Sequence, residues 1–484
     1  MRHRFVRAVG LLACAILASC SSTNGPNVTH LLVSPDTVRL VRFDSVQLSV
    51  SPLDESERLI TGVAVSFASN DTTIVRVSNL GRVRSVGPLG STTVAVTGGG
   101  ATTLVEATVY NFPAAIVVSP QDTAIRQKGA VQLTATVVDN TGTPVPGQSV
   151  SFVTGNAGIA SVSPTGLVTS AGPVGAVTIM ATSGTFRAFA NVRVMDSSIA
   201  ASLQLSARPF GAAVSPQGVA YITRLDAAAL ARIDLPTHAF SASAPVGSTP
   251  TGVTFNVSGT TAYVTNQYSD NVGVVSVASN TQASTIAVLG DPSITRVNPD
   301  GKLLWVSTNV DTLYGFDLAS GSVAHRFGFP WVTNGLAFHP TNDSLLYASV
   351  LDGAVREVNY KRDLVLRTFP LGGMTQGIAV APNGSELYVA NQGTGQLQVV
   401  SLSSGAVTAS VALGGAPFDL QLSPDGTKIW ISVTTTGEVK VLDRVSRSLL
   451  RTITTSGAPR RIGFDPQRGT AVVANEAGWV DVMR

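Results

Sequence analysis

Six side chains stand out by type and spacing: Asn334, Gln376, Phe418, Asp419, Arg460 and Arg461. Four of them, Asn334, Gln376, Phe418 and Arg460, lie six residues before a recurring turn position. Earlier copies of the same pattern place Phe210, Thr251 and Ser293 there. Asp419 and Arg461 come one residue later, where other copies have Gly or Ile. Two amides, one carboxylate, two guanidiniums and an aromatic face are the means to hold an anionic or sugar-like ligand. Arg in particular suits a carboxylate or phosphate through its planar fork of donors. A plainer role is open to the same residues: Arg461 pairing with Asp419, and the amides satisfying loop backbone.

The set is thin for catalysis. Acid–base chemistry or a metal site usually needs two or more acids or histidines, and Asp419 is the single acid placed here. Past the leader the histidines are His30, His238, His325 and His339, each isolated in sequence. No His-x-His, His-Glu-x-x-His, EF-hand loop or Gly-x-Ser-x-Gly elbow occurs. No catalytic residue, metal ligand or cofactor is assigned.

The six residues owe their common placement to a repeat. A turn recurs as Ser215-Pro-Gln-Gly218, Asn256-Val-Ser-Gly259, Asn298-Pro-Asp-Gly301, His339-Pro-Thr-Asn342, Ala381-Pro-Asn-Gly384, Ser423-Pro-Asp-Gly426 and Asp465-Pro-Gln-Arg468. Successive second positions are 41 or 42 residues apart. A period of about 40–45 residues with four short strands per unit is that of a propeller blade. An aromatic-led strand follows each of the first six turns, led by Tyr221, Tyr263, Trp305, Tyr347, Tyr388 and Trp430. This column is most simply packing between blades. The last unit lacks an outer strand, and an orphan strand, Ile199–Leu205, precedes the first; pairing the two closes the circle. Asp226–Arg232 favours helix by propensity, but the register makes it loop and strand, and the repeat outweighs propensity.

In each unit the start of the innermost strand and the end of the second lie on one face of the disc, because they pair antiparallel. A second column ends the aromatic strands there: Arg224, Asn266, Thr308, Val350, Asn391, Val433 and Asn475. Its Asn residues are expected to cap the following turns. Tyr263-Val-Thr-Asn266, with Tyr388-Val-Ala-Asn391 and Val473-Ala-Asn475 as variants, resembles the tag of the YVTN-repeat β-propeller family. The resemblance covers 199–484 and implies a seven-bladed propeller. It says little about activity.

An earlier repeat has a different period. Val33-Ser-Pro35, Val65-Ser-Phe67, Gly81 and Gly90 recur 85 residues later as Val118-Ser-Pro120, Val150-Ser-Phe152, Gly166 and Gly175. Apolar and polar residues alternate between these landmarks, the pattern of half-buried strands. Ile74-Val-Arg-Val-Ser-Asn-Leu-Gly81 and Ile159-Ala-Ser-Val-Ser-Pro-Thr-Gly166 resemble the bacterial Ig-like domains of group 2, with Phe67 and Phe152 where Trp is common in that family. The resemblance implies two β-sandwiches acting as a stalk or, alternatively, an adhesive surface.

The N-terminus has a basic segment through Arg7, an apolar run Ala8–Ala18, and then Ser19-Cys20. The run is too short to span a bilayer and fits a secretory signal. Leu17-Ala-Ser-Cys20 resembles the bacterial lipobox, which implies lipidation at Cys20 and, with Ser21 following, anchoring in the outer membrane. The only other cysteine, Cys14, lies in the leader. The mature chain therefore depends on its core and not on disulfides. Without Arg2, Arg4 and Arg7, basic and acidic residues balance at 29 each, which argues against nucleic-acid binding by bulk charge.

The expected chain is all-β: two tandem Ig-like sandwiches followed by a seven-bladed propeller. Its parts are a signal peptide (1–19), a tether (20–30), sandwiches at 31–112 and 113–196, and the propeller at 197–484. The expected protein is a monomer, held to the membrane by its N-terminal lipid. Its propeller would bind an envelope protein, peptide, glycan or anionic small molecule without catalysis. A lactonase- or lyase-like enzyme, or adhesion through the Ig-like domains, are the alternatives.

Overall fold

Alternating sequence makes strands with one wet face, and continuous apolar sequence makes strands buried on both. Both kinds are present in the computed structural model, which describes residues 27–484. Cys20 and the expected signal peptide, 1–19, lie outside the described residues. The fold is all-β, with two short 3₁₀ turns among the described residues, Leu225–Ala227 and Gln267–Ser269. The chain divides into two compact units: residues up to Ile116 with Thr136–Gln148, and Val117–Ala135 with Ser149–Arg484.

In the first unit, Thr37–Val41, Ala101–Tyr110, Gly90–Gly98 and Val65–Ser69 form one sheet in that order. Ser45–Gln47, Arg82–Ser85 and Val75–Val77 form another. Val38, Leu40, Val83, Val94 and Val105 are buried in a shared core. The second unit repeats this order with Asp122–Arg126, Phe186–Met195, Gly175–Ser183 and Ser151–Thr154, and with Ala130–Gln132, Leu167–Ser170 and Ala160–Val162. In each copy the edge strand, Thr37–Val41 or Asp122–Arg126, pairs parallel with a long strand, Ala101–Tyr110 or Phe186–Met195. The paired landmarks have a physical cause. Gly81 (φ 81°) and Gly166 (φ 86°) sit in the left-handed region, and a Cβ there would lie 2.7 Å from the Phe67 ring or 2.9 Å from the Phe152 ring. Glycine lets the turn lie flat against the phenylalanine that fills the core.

From Ile199 onward, seven four-stranded antiparallel sheets follow among the described residues. Their innermost strands are Pro209–Val214, Pro250–Phe255, Pro292–Val297, Thr333–Phe338, Thr375–Val380, Pro417–Leu422 and Pro459–Phe464, and they number sheets 1 to 7. Each innermost strand touches the next, and the seventh touches the first, so they form a ring around an axis. Second strands are buried on both faces: Leu387, Tyr388, Val389 and Ala390 are wholly buried. Outer strands such as Leu364–Pro370 are mostly exposed. Sheet 7 takes its outer strand from Ile199–Gln204, which pairs antiparallel with Trp479–Met483. Asp226–Arg232 forms the 3₁₀ turn and then the strand Ala229–Asp234, so tertiary pairing overrides local propensity. The aromatic column packs between sheets: Tyr221 stacks on Phe255 at 5.3 Å, and Trp430 meets Phe464 edge-on at 5.5 Å.

Within the second unit a wholly buried ion pair joins the repeat sheet to sheet 7. Arg193 donates to both carboxylate oxygens of Asp481, at 2.7 and 3.0 Å, and Ser202 Oγ donates to Oδ1 at 2.7 Å. The guanidinium also lies over the Trp479 ring at 5.3 Å.

Candidate functional site

The ring has two mouths. Innermost strands begin at one, the start mouth, and run into the Pro-x-Gly turns at the other, the turn mouth. Near the start of each innermost strand a β-bulge shifts the register. A bulge frees backbone groups from the ladder, and buried ones need partners. Hydroxyls from the second strands supply them. Thr223 Oγ1 accepts from Gly211 N at 2.7 Å and donates to Thr251 O of sheet 2 at 3.1 Å. Thr265 does the same with Gly252 N and Ser293 O, both at 2.7 Å. Ser432 accepts from Asp419 N at 3.0 Å and donates to Arg460 O at 2.6 Å. Each hydroxyl thus ties its own sheet to the next. Sheets 5 and 7 have Ala390 and Ala474 at this place. A further tie between sheets 6 and 7 comes from the Ile462 N–H, which donates to Asp419 Oδ2 at 2.9 Å.

All six side chains singled out by spacing meet at the start mouth. Asn334 Nδ2 donates to Gln376 Oε1, and Gln376 Nε2 donates to Gln392 Oε1 at 2.6 Å. Arg461 reaches across the axis, donating to Asn334 Oδ1 at 2.9 Å and to Asp419 Oδ1 at 3.3 Å. Its guanidinium lies 4.8 Å from the Phe418 ring, and that of Arg460 lies 4.6 Å from it. Phe418 in turn meets Phe210 edge-on at 5.7 Å. Arg460 is held by Glu476 Oε2, at 2.8 Å from Nε and 2.6 Å from Nη2. Glu476 also pairs with the exposed Arg208 at 3.0 Å. Glu476 and Gln392 were not anticipated; each follows an Asn of the second-strand column. Those Asn residues staple loops: Asn391 Oδ1 accepts from Met374 N and Thr394 N, and Asn475 Oδ1 from Ala458 N and Ala477 N.

Burial pulls the Arg461 pKa below its usual value, Asp419 pushes it back, and Arg296 and Arg460 add to the lowering. A guanidinium still keeps its proton. Arg461 with Asp419 therefore forms a neutral crossbar over the axis. Beneath it lies a cavity of about 30 Å³, lined by Arg461, Asp419, Gly211, Gly252, Arg296 and Gln421 among others. That is room for about one water, not for a substrate. Among the described residues no group of three His, Cys, Asp or Glu is placed to hold a metal ion.

A solved chain of Kuenenia stuttgartiensis hydrazine synthase matches 60% of this chain and 98% of its own length, with a TM-score of 0.54 and 18% identity. The fold is propeller-like. At this identity the likeness concerns architecture alone, and it agrees with the ring of sheets described above. No family model and no curated protein matches the chain.

Proposed function

We propose that this chain is a lipid-anchored cell-envelope protein. In this reading two Ig-like sandwiches of the bacterial group 2 type carry a seven-bladed YVTN-type propeller, and the propeller is a non-enzymatic binding or scaffolding module. One observation carries the preference for binding over catalysis: both carboxylates of the cluster are already engaged. Asp419 is held by Arg461 and by the Ile462 N–H, and Glu476 by Arg460 and Arg208. A general base or metal ligand needs a free lone pair facing the substrate. The mouth instead offers stacked Phe and Arg faces and amide dipoles. Arg460 is 22% exposed, against 14% for Arg461, and is the more open of the two guanidiniums beside Phe418. The anchor rests on the sequence around Cys20.

Two experiments test this. A thermal-shift screen of the full chain against anions, glycans, peptidoglycan fragments, peptides and divalent ions should yield a stabilising ligand, because a ligand that binds only the native state raises its melting point. The shift should disappear in Arg460→Gln. Stabilisation by a divalent ion, abolished in Asp419→Asn, would replace this reading with an enzymatic one. Cys20→Ala should move the protein from the membrane to the soluble fraction, and unchanged partitioning would remove the lipid anchor from the proposal.

A further inference from the structure

The turn mouth carries a second break in symmetry. Three residues before each turn position stand Ala213, Thr254, Arg296, Ala337, Ala379, Gln421 and Gly463. Five are small or short, as packing near an axis requires. Arg296 of sheet 3 and Gln421 of sheet 6 are the long exceptions. Both line the 30 Å³ axial cavity, and both line a concavity of about 400 Å³ that opens at the turn mouth. Among the described residues neither side chain has a hydrogen bond, and Arg296 has no ion pair. The acids on the neighbouring turns are engaged elsewhere: Asp425 accepts from Ser423 and Thr427, and Asp465 pairs with Arg468 at 2.9 Å.

A second observation points the same way. One residue earlier the column reads Ala212, Val253, Thr295, Leu336, Ile378, Leu420 and Ile462, all apolar except Thr295. Thr295 is 2% exposed, lines the axial cavity, and its hydroxyl has no partner in the protein. A buried hydroxyl without a partner is destabilising, and Val would fill the same space. The hydroxyl, the amide and the guanidinium therefore line one cavity with their hydrogen-bonding capacity unused.

We propose that the turn mouth binds a small organic acid, with its oxyanion between Arg296 and Gln421 and its apolar body in the concavity. Charge sets the head group. The guanidiniums of Arg461 and Arg460 are paired with Asp419 and Glu476, whereas Arg296 pairs with no carboxylate among the described residues. Size sets the division of the ligand: the cavity of about 30 Å³ admits a single small group, and the rest must occupy the wider concavity. The walls set its body, since Pro216, Phe255, Val257, Pro424, Phe464 and Pro466 line that concavity. This site is on the opposite face from the Arg460 cluster and does not depend on the reading given to that cluster.

Calorimetric titration of the full chain with phenyl phosphate and benzoate is the direct test, with inorganic phosphate as the head group alone and benzyl alcohol as the uncharged body. The two aromatic acids should bind, inorganic phosphate more weakly, and benzyl alcohol not measurably. Arg296→Gln should weaken phenyl phosphate about tenfold or more, as loss of a charge-assisted hydrogen bond implies. Gln421→Met keeps the charge and length and should weaken it by about threefold, the effect of one neutral hydrogen bond. Melting curves of both variants check folding. No binding of either aromatic acid at about 10 mM, where even a millimolar site would be largely filled, overturns the proposal. So does binding left unchanged by both substitutions, or benzyl alcohol binding as tightly as benzoate.

Discussion

Replacing Arg193 with Met should destabilise the second unit severely, and more so at high pH. The Arg193 and Asp481 side chains are 2% and 0% exposed, and the pair is bidentate. Removing one member of a buried pair leaves an uncompensated charge and costs about 3–5 kcal/mol. At about 2 °C per kcal/mol, the low end for large units, the melting point should fall by about 6–10 °C. The pH dependence follows from Asp481. Burial already pushes its carboxyl above the usual 3.8, and Arg193, Ser202 and Asn475 restrain the rise. Without Arg193 the folded-state pKa climbs further. The native state of the variant then holds a proton that the unfolded chain loses near 3.8, so its stability falls as pH rises from there through the raised pKa. The deficit relative to wild type should therefore be larger at about pH 8 than at about pH 5. Replacing both partners, Arg193→Met with Asp481→Leu, should recover most of the loss, because no charge is left buried. Calorimetric melts of the four proteins at the two pH values give the full cycle. A single variant melting within about 1 °C of wild type, or showing the same deficit at both pH values, would refute the assignment of this pair as a charge buried through its partner.

Deleting Ile199–Leu205 removes the outer strand of sheet 7 and exposes the edge of Trp479–Met483. The ring should lose its cooperative melting transition, and a wild-type melting curve would disprove closure by this strand. Gly377→Ala should cost about 1–3 kcal/mol by overpacking, since a Cβ there would lie 2.5 Å from Leu420 N and 2.8 Å from Asp419 Oδ1; chemical denaturation measures it. Asp425 accepts hydrogen bonds from the Ser423 hydroxyl and from Thr427, which lower its pKa to about 2. Its folded pKa is depressed, so its contribution is complete above the ordinary 3.8 and is lost as pH falls through about 2. The stability gap between wild type and Asp425→Asn should close over that window in acid denaturation, and a constant gap would contradict it.

The sheets were legible because their spacing is carried by turns, and a turn fixes the height of every residue on the strands beside it. Counting six residues back from each turn therefore places Asn334, Gln376, Phe418 and Arg460 at one mouth, and the structure joins them there. What counting cannot reach is the partner set. Arg461 finds Asn334 across the axis, three sheets away around the ring, and its distance from Asp419 depends on side-chain reach. Glu476 was hidden for a different reason. It follows Asn475 in the loop after the second strand, and the matching positions, Leu225, Gln267, Asn309, Leu351, Gln392 and Thr434, share no chemistry that would mark a departure. The hydroxyls of Thr223, Thr265 and Ser432 are visible in sequence, yet their role depends on bulges, and a bulge is a change of register that alternation does not record.

Asp419 shows why type and position together still underdetermine role. By sequence it is the one acid among amides and arginines, and so invites a catalytic or ligand-binding assignment. In the structure it does two structural jobs. It neutralises Arg461, and it accepts from the Ile462 N–H of the neighbouring sheet 7. An unmatched polar residue in a repeat is therefore structural when its hydrogen-bonding capacity is taken up by a neighbouring copy. It becomes a ligand candidate only when its own hydrogen-bonding capacity remains open. Asp419 fails that second condition and Arg296 meets it. Arg296 departs from its column as sharply, lines the same axial cavity, and has neither a carboxylate nor a hydrogen-bond partner among the described residues. A guanidinium in a cleft with low-dielectric walls attracts anions more strongly than one in open solvent. The same repeat logic that explains the crossbar at one mouth thus directs the search for a ligand to the other.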